Sequence, residues 1–351
     1  MSYENNVRKV TPYTPGEQPS GENIIKLNTN ENPYPPSPRV KEALLNFDPE
    51  KLKLYPDPAI SSLKKALSER YDVPVESVFC GVGSDDVLAM SFMTFFNGEK
   101  PVLFPDITYS FYDVWAEVFR IPYKTMPLRE DFTIDPSDYM KENGGIVIPN
   151  PNAPTGVTEG VKLYEDIIKA NPDSVVIIDE AYVDFGAETV LPLINEYDNL
   201  LVVRTFSKSA SMAGSRIGYA FGNPKLIKYL EDVKYSFNSY TIDRITEITA
   251  VAELSDPEWM EKNIKKVIET RERSKTELKK LGFTFGDSLA NFVFVKHSDV
   301  SAKKIYEELK SRGIYVRYFN KPRIDDYLRI TIGTDEEMEK LFVALASLLA
   351  K

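Results

Sequence analysis

Short apolar runs alternate with amphipathic stretches through the middle of the chain. Strands are predicted at residues 78–80, 102–104, 146–148, 175–178, 201–203 and 219–221, where three or four apolar residues stand together between turn signals. Helical periodicity fills the gaps at 85–96, 110–119 and 163–170. This alternation predicts an α/β fold: a mainly parallel sheet with helices on both faces. Residues 242–281 are largely helical and rich in charge pairs, suiting a bridge between domains. Beyond them come a strand at 292–295, a helix at 301–312, strands near 314–317 and 328–331, and a last helix, which together make a small α+β domain. Residues 1–30 have few periodic apolar positions and many of Pro, Gly and Asn, so they are expected to form an irregular arm. The expected organisation is that arm, packed with the small domain, a large domain over 31–250 and the small domain over 251–351.

Composition narrows the function. The 351 residues are 42% hydrophobic and 27% charged, ordinary for a soluble globular protein of one large and one smaller domain. A net charge of −10 leaves no basic footprint for nucleic acid, although local arginines still attract anions because distant charge is screened. One cysteine, Cys80, and one histidine, His297, exclude an internal disulfide, a Cys/His zinc site and histidine-based triads. The start, Met1-Ser2-Tyr3-Glu4-Asn5-Asn6, lacks a secretory apolar region, and the apolar stretch 341–350 is too short to span a bilayer. A cytoplasmic protein without membrane partners is expected, with no metal.

The candidate chemistry gathers at strand ends. Val175-Val176-Ile177-Ile178-Asp179-Glu180-Ala181-Tyr182 is an apolar strand ending in acid, and Val203-Arg204-Thr205-Phe206-Ser207-Lys208-Ser209 is another ending in hydroxyls and a lysine. Arg216 follows eight residues later. In open α/β sheets ligands bind just beyond the carboxyl ends of such strands. A lysine amine, an acid, a phenol, hydroxyls and an arginine are what pyridoxal phosphate needs: the lysine bonds to the aldehyde, the acid keeps the ring nitrogen protonated, and the rest hold phosphate and ring. Gly81-Val82-Gly83-Ser84-Asp85-Asp86 opens a helix and offers free amides to a phosphate, or else is an ordinary turn capped by Ser84. Tyr109 either stacks on a ring or belongs to the core. Asn150-Pro151-Asn152-Ala153-Pro154-Thr155-Gly156 is a rigid turn, with scope for a cis X-Pro bond, that is structural or presents a polar side chain. Arg329, and more weakly Arg317, lie on apolar strands where a guanidinium needs an anion, from a structural carboxylate or from a substrate.

With these motifs the chain resembles the fold-type I pyridoxal-phosphate aminotransferases over nearly its whole length. Within them it resembles the histidinol-phosphate aminotransferase family, through Thr11-Pro12-Tyr13-Thr14-Pro15-Gly16-Glu17, Leu27-Asn28-Thr29-Asn30-Glu31-Asn32-Pro33, Tyr55-Pro56-Asp57 and Leu328-Arg329-Ile330-Thr331-Ile332-Gly333. The resemblance implies a large domain with a mainly parallel, seven-stranded-type sheet, a small α+β domain and an N-terminal arm. It also implies a homodimer in which Tyr55 reaches the neighbour's cofactor phosphate. Lys208 is then the covalent anchor and the acid/base of the 1,3-proton shift. Asp179 pairs with the ring nitrogen, Tyr182 with the ring oxygen, and Tyr109 stacks on the ring. The amides of Ser84 and Asp85, with Thr205, Ser207 and Arg216, hold the phosphate. Arg329, with Arg317 nearby, grips the donor's carboxylate and the substrate's phosphate. Tyr13, Asn30 and Glu31 face the imidazole. One departure stands out: the family's asparagine before Pro-Thr-Gly is Ala153 here, so either Asn152 takes over its contact with the ring oxygen or Tyr182 holds that oxygen alone. The implied reaction converts L-histidinol phosphate and 2-oxoglutarate to imidazole acetol phosphate and L-glutamate, in histidine biosynthesis. The alternatives are a threonine-phosphate decarboxylase and an aromatic amino acid aminotransferase.

Overall fold

The computed structural model describes residues 2–21 and 23–350; Met1, Glu22 and Lys351 lie outside them. In chain order the main elements are β1 (Ile25–Leu27), α1 (Pro38–Leu45), α2 (Ser61–Tyr71), β2 (Val78–Gly81), α3 (Gly83–Phe95), β3 (Val102–Pro105), α4 (Tyr112–Phe119), β4 (Tyr123–Met126), β5 (Gly145–Pro149), α5 (Val161–Ala170), β6 (Val176–Asp179), β7 (Leu200–Thr205) and β8 (Gly218–Gly222). Then follow α6 (Pro224–Phe237), α7 (Arg244–Leu254), α8 (Pro257–Lys280), β9 (Phe283–Phe285), β10 (Phe292–His297), α9 (Ala302–Ser311), β11 (Ile314–Tyr318), β12 (Leu328–Thr331) and α10 (Asp335–Leu349).

Among the described residues these strands form a seven-stranded sheet, in the order β2-β8-β7-β6-β5-β3-β4, and a five-stranded sheet, β1-β11-β12-β10-β9. In the larger sheet all neighbours are parallel except β8, which runs antiparallel to both β2 and β7. The reason is local: the chain from β7 to β8 makes a loop without an α-helix, and a parallel return needs a longer, usually helical crossover.

The central strands divide their side chains between two cores. Ile146, Ile148, Val176, Ile178, Leu200 and Val202 pack on one face with Leu63 and Leu67 of α2 and Tyr164, Ile167 and Ile168 of α5. Val147, Ile177, Leu201 and Val203 pack on the other with residues of α3, α4 and α6. Burial on both faces is why these strands read as continuous apolar runs. The first core continues into the small sheet through Val293, Val295 and Ile330.

One expectation needs correction. The arm is not irregular throughout, because residues 25–27 form β1 and pair in parallel with β11, Ile25 opposite Ile314. A three-residue strand is too short to show a period. The 242–281 stretch is largely helical, as expected, and consists of two helices, with a break where Pro257 starts α8. Here the packing also changes: α7 lies against α1 and α2, whereas α8 lies against β9 and β10.

Candidate active site

At the carboxyl ends of β5, β6 and β7 lies a cavity of about 360 Å³ lined by Ser84, Asp85, Tyr109, Asp179, Tyr182, Thr205, Ser207, Lys208 and Arg216, with Glu31 at its edge. These residues, scattered over 186 positions or fewer of sequence, are brought together by strand ends, as the strand-end rule requires. Lys208 Nζ donates to the Thr29 carbonyl at 3.2 Å and stands 5.5 Å from the centre of the Tyr182 ring. Its loop is pinned from outside: Asn32 Nδ2 donates to the carbonyls of Lys208 (3.2 Å) and Ser209 (3.3 Å), and Ser209 Oγ donates to Asp184 at 2.5 Å.

Asp179 is buried, and its two oxygens accept from the Tyr112 hydroxyl (2.7 Å) and the Ala181 amide (3.2 Å). Burial pushes its carboxyl up to about 6, against the pull of those two bonds. It forms no ion pair among the described residues. The next residue, Glu180, serves another purpose. It is buried against Arg204, whose Nε and Nη2 donate to one of its oxygens at 3.0 and 2.8 Å, and it accepts the Val190 amide at 2.7 Å. Neither acid faces solvent.

The turn into α3 presses against β8. A Cβ on Gly218 would lie 2.2 Å from the Ser84 amide nitrogen, so only glycine permits this approach. Val82, not Ser84, holds the position before the helix, and no side chain caps it, which leaves the first-turn amides available. Beside them Arg216 Nη2 is 3.1 Å from Asp85 Oδ2, and Nη1 donates to Ser207 Oγ at 3.4 Å. Tyr109 donates to the other Asp85 oxygen at 2.7 Å, and Thr205 Oγ1 donates to Ser207 Oγ at 3.0 Å.

A second cavity of about 450 Å³ shares Tyr109, Tyr182, Lys208 and Arg216 and extends to Tyr13, Asn30, Arg317 and Arg329. Arg329 Nη2 donates to the Asn28 carbonyl at 3.0 Å, while its Nε is buried without a hydrogen-bond partner. Arg317 donates to the carbonyls of Thr14 (3.4 Å) and Pro15 (3.5 Å) and lies over the Phe319 ring, 5.6 Å from its centre. Neither guanidinium forms an ion pair among the described residues. Burial holds the Arg329 guanidinium below its ordinary value. Tyr13 stacks on Phe111, with ring centres 4.1 Å apart.

Some assignments change. Asn152 does not line either cavity. Its amide nitrogen donates to the Ile107 carbonyl (2.9 Å) and Thr155 Oγ1 (3.1 Å), and its oxygen accepts from Thr108 (3.0 Å), so the side chain ties the turn together and has nothing left for a ring oxygen. Ala153 lines the cavity instead. Both X-Pro bonds of this turn, Asn150–Pro151 and Ala153–Pro154, are cis. Asn30 holds Tyr182: its amide nitrogen donates to the Tyr182 hydroxyl at 2.9 Å and its oxygen accepts from Thr331 at 2.9 Å, while the residue also lines the second cavity. Glu31 accepts from Lys26 (2.5 Å) and Thr29 (2.6 Å); burial alone would raise its carboxyl, but these bonds hold it below its ordinary value. Tyr55 lies outside its own chain's cavities, 76% exposed and stacked on Tyr240 at 4.7 Å. Tyr112, which joins the site through Asp179, has little signal in the sequence beyond being a second tyrosine three residues after Tyr109.

Both the fold and this lysine-centred cavity are those of an aminotransferase, and the chain belongs to the aminotransferase class I and II family, whose profile matches residues 22–345. Within it, full-length relatives place the chain in the histidinol-phosphate aminotransferase family. It is 51% identical over 351 residues to the histidinol-phosphate aminotransferase of Lactococcus lactis subsp. lactis, covering 100% of this chain and 98% of that one. It is 52% identical over 344 residues to that of Clostridium acetobutylicum, covering 98% of each. The fold is shared with the histidinol-phosphate aminotransferase of Sinorhizobium meliloti, solved in complex with pyridoxal 5'-phosphate, at a TM-score of 0.85 and 24% identity over 93% of this chain and 91% of that one.

Proposed function

We propose that this chain is a pyridoxal-phosphate-dependent transaminase that moves the amino group of L-histidinol phosphate to 2-oxoglutarate. The observation that carries this reading is Arg329, a guanidinium without a counter-ion, in a cavity shared with Lys208. A half-buried cation of this kind, its Nε buried without a partner, calls for an anionic ligand. The arginine fork suits both a carboxylate and a phosphate, so Arg329, helped by Arg317, serves both half-reactions. The names of the full-length relatives favour transamination over decarboxylation.

The residues also fit the cofactor. Asp179 is a buried carboxylate whose partners are neutral, so a protonated ring nitrogen is the missing positive charge. The first-turn amides of α3, Ser207 and Arg216 suit a phosphate. When bound, pyridoxal phosphate supplies an electron sink for the pair released at the substrate Cα. Among the described residues Lys208 is the only lysine lining the cavity; its Nζ is the anchoring amine and, once freed, the base for the Cα proton. Tyr182 accepts its hydrogen bond from Asn30 and so keeps its own proton for the ring oxygen, which it holds without Asn152. Tyr13 and Glu31 border the space for the imidazole.

Exposed Leu52, Leu54, Tyr55, Phe237 and Tyr240 support a homodimer, with Tyr55 reaching the partner's site. We also read the chain as an arm (1–30), a large domain (31–250) and a small domain (251–351), working in the cytoplasm. Among the described residues no helix is long and apolar enough to cross a membrane.

A coupled assay tests the reading: glutamate should form from 2-oxoglutarate with histidinol phosphate as donor. Release of carbon dioxide from threonine phosphate, with histidinol phosphate ignored, would replace it by the decarboxylase.

A further inference from the structure

We propose that Tyr112 is a positioning residue for this reaction: its hydroxyl keeps the Asp179 carboxylate ionised and aimed at the cofactor's ring nitrogen. The inference rests on the reading of Asp179 given above.

Tyr112 opens α4 and is fully buried among Phe92, Phe104 and Trp115, with ring centres 5.8 to 6.4 Å away. Phenylalanine would fill this apolar pocket equally well. A hydroxyl there carries a desolvation cost unless it finds an acceptor. Its hydrogen-bond partner is Asp179 Oδ2, at 2.7 Å, an ordinary length for a hydroxyl on a carboxyl oxygen. With the Ala181 amide on Oδ1, each oxygen of Asp179 has one protein donor and keeps acceptor capacity toward the cavity.

The consequence follows from where the proton between ring and carboxylate resides. It divides according to the proton affinities of the two groups. Hydrogen bonds to a carboxylate lower its affinity, whereas burial raises it. Burial and the adjacent Asp85 and Glu180 all push Asp179 towards holding the proton itself. Arg204 offsets Glu180, and Tyr182 and Lys208 face the same cavity. The Tyr112 hydroxyl and the Ala181 amide oppose that push, and so favour the proton on the ring nitrogen. Tyr112 remains a donor across the working range, because burial and then the Asp179 charge hold its phenol well above its ordinary value.

The test compares wild type, Tyr112→Phe and Asp179→Asn, each loaded with pyridoxal phosphate labelled with ¹⁵N in the ring, and reads the ¹⁵N chemical shift against pH. In parallel the Asp179 carboxyl of the cofactor-free wild type and Tyr112→Phe is titrated by ¹³C NMR. In Tyr112→Phe the ring signal should move towards unprotonated pyridine, and the Asp179 midpoint should rise by about one pH unit, a tenfold change in the proton's division. Fluorotyrosine at position 112, a stronger donor, should move both readouts the opposite way, and it keeps the test available if Tyr112→Phe folds poorly. If both readouts stay at wild-type values in the Tyr112 variants while Asp179→Asn changes the ring signal, Tyr112 is only a core residue and the inference is overturned. If Asp179→Asn leaves the ring signal unchanged, the assignment of Asp179 itself is wrong.

Discussion

The side-chain amide of Asn30 donates a 2.9 Å hydrogen bond to the hydroxyl of Tyr182. Asn30 follows β1 of the small sheet, and Tyr182 follows β6 of the large one. The bond therefore joins the two sheets at the cavity. Asn30 is itself fixed by Thr331 on β12, which accepts its backbone amide at 3.0 Å and donates to its side-chain oxygen at 2.9 Å.

Replacing Asn30 should therefore disturb the cofactor before it disturbs substrate binding. Asn30→Asp keeps the size and tolerates the left-handed backbone (φ 56°), but it turns a donor into an acceptor. The Tyr182 proton is then drawn to the new carboxylate and away from the ring oxygen. The visible absorption band of the loaded enzyme should shift, and turnover should fall roughly tenfold, the cost of one hydrogen bond of about 1.4 kcal/mol. An unchanged band would show that Asn30 does not act through Tyr182.

Asp179 links function to pH-dependent stability. Its folded value of about 6 stands above its ordinary value of 3.8, so the cofactor-free fold favours the protonated acid. The sign follows from linkage. This favourable contribution is complete below about pH 4 and is lost as pH rises through 6, costing about 3 kcal/mol for a gap of about two pH units. Cofactor-free Asp179→Asn should escape that loss. Denaturant titrations should find it as stable as wild type at pH 4 and more stable at pH 7.5, with transamination reduced by about 10²- to 10³-fold. A variant that is less stable at pH 7.5 would contradict this account of the buried carboxylate.

Arg329 and Glu31 should separate the two half-reactions. Arg329→Ala removes the fork proposed to hold both substrates, so single-turnover rates with glutamate and with histidinol phosphate should both drop by roughly thirty- to hundredfold, about 2–3 kcal/mol. Glu31→Ala should slow mainly the histidinol-phosphate half-reaction. Equal losses in both for Glu31→Ala would remove it from the imidazole side.

Tyr55 should act across the dimer. Tyr55→Ala and Lys208→Ala, each inactive alone, should regain activity when their subunits are exchanged, because one of the two sites in each mixed dimer then has both native residues. Failure to recover, with exchange verified by mass, would mean that Tyr55 does not serve its partner.

Much of this was legible in the sequence, for physical reasons. The central strands are buried on both faces, so their apolar runs stood out, and Asp179 and Lys208 stood out because polar chemistry directly follows such runs. β4 was not legible, because Tyr123, Lys124 and Thr125 are exposed at the sheet edge and show no apolar pattern. Asn152 misled because its partners at Ile107 and Thr108 lie more than forty residues away and only the fold brings them close. Tyr112 hid for the opposite reason. Its surroundings are apolar, and only the position of β6 gives its hydroxyl a purpose.

Lys208 should carry the cofactor. Reducing the loaded enzyme with borohydride traps the lysine bonded to pyridoxal phosphate, and peptide mapping then identifies it. The adduct should fall on Lys208 alone, and Lys208→Ala should yield none. An adduct on any other lysine, with Lys208 unmodified, would contradict the site as described.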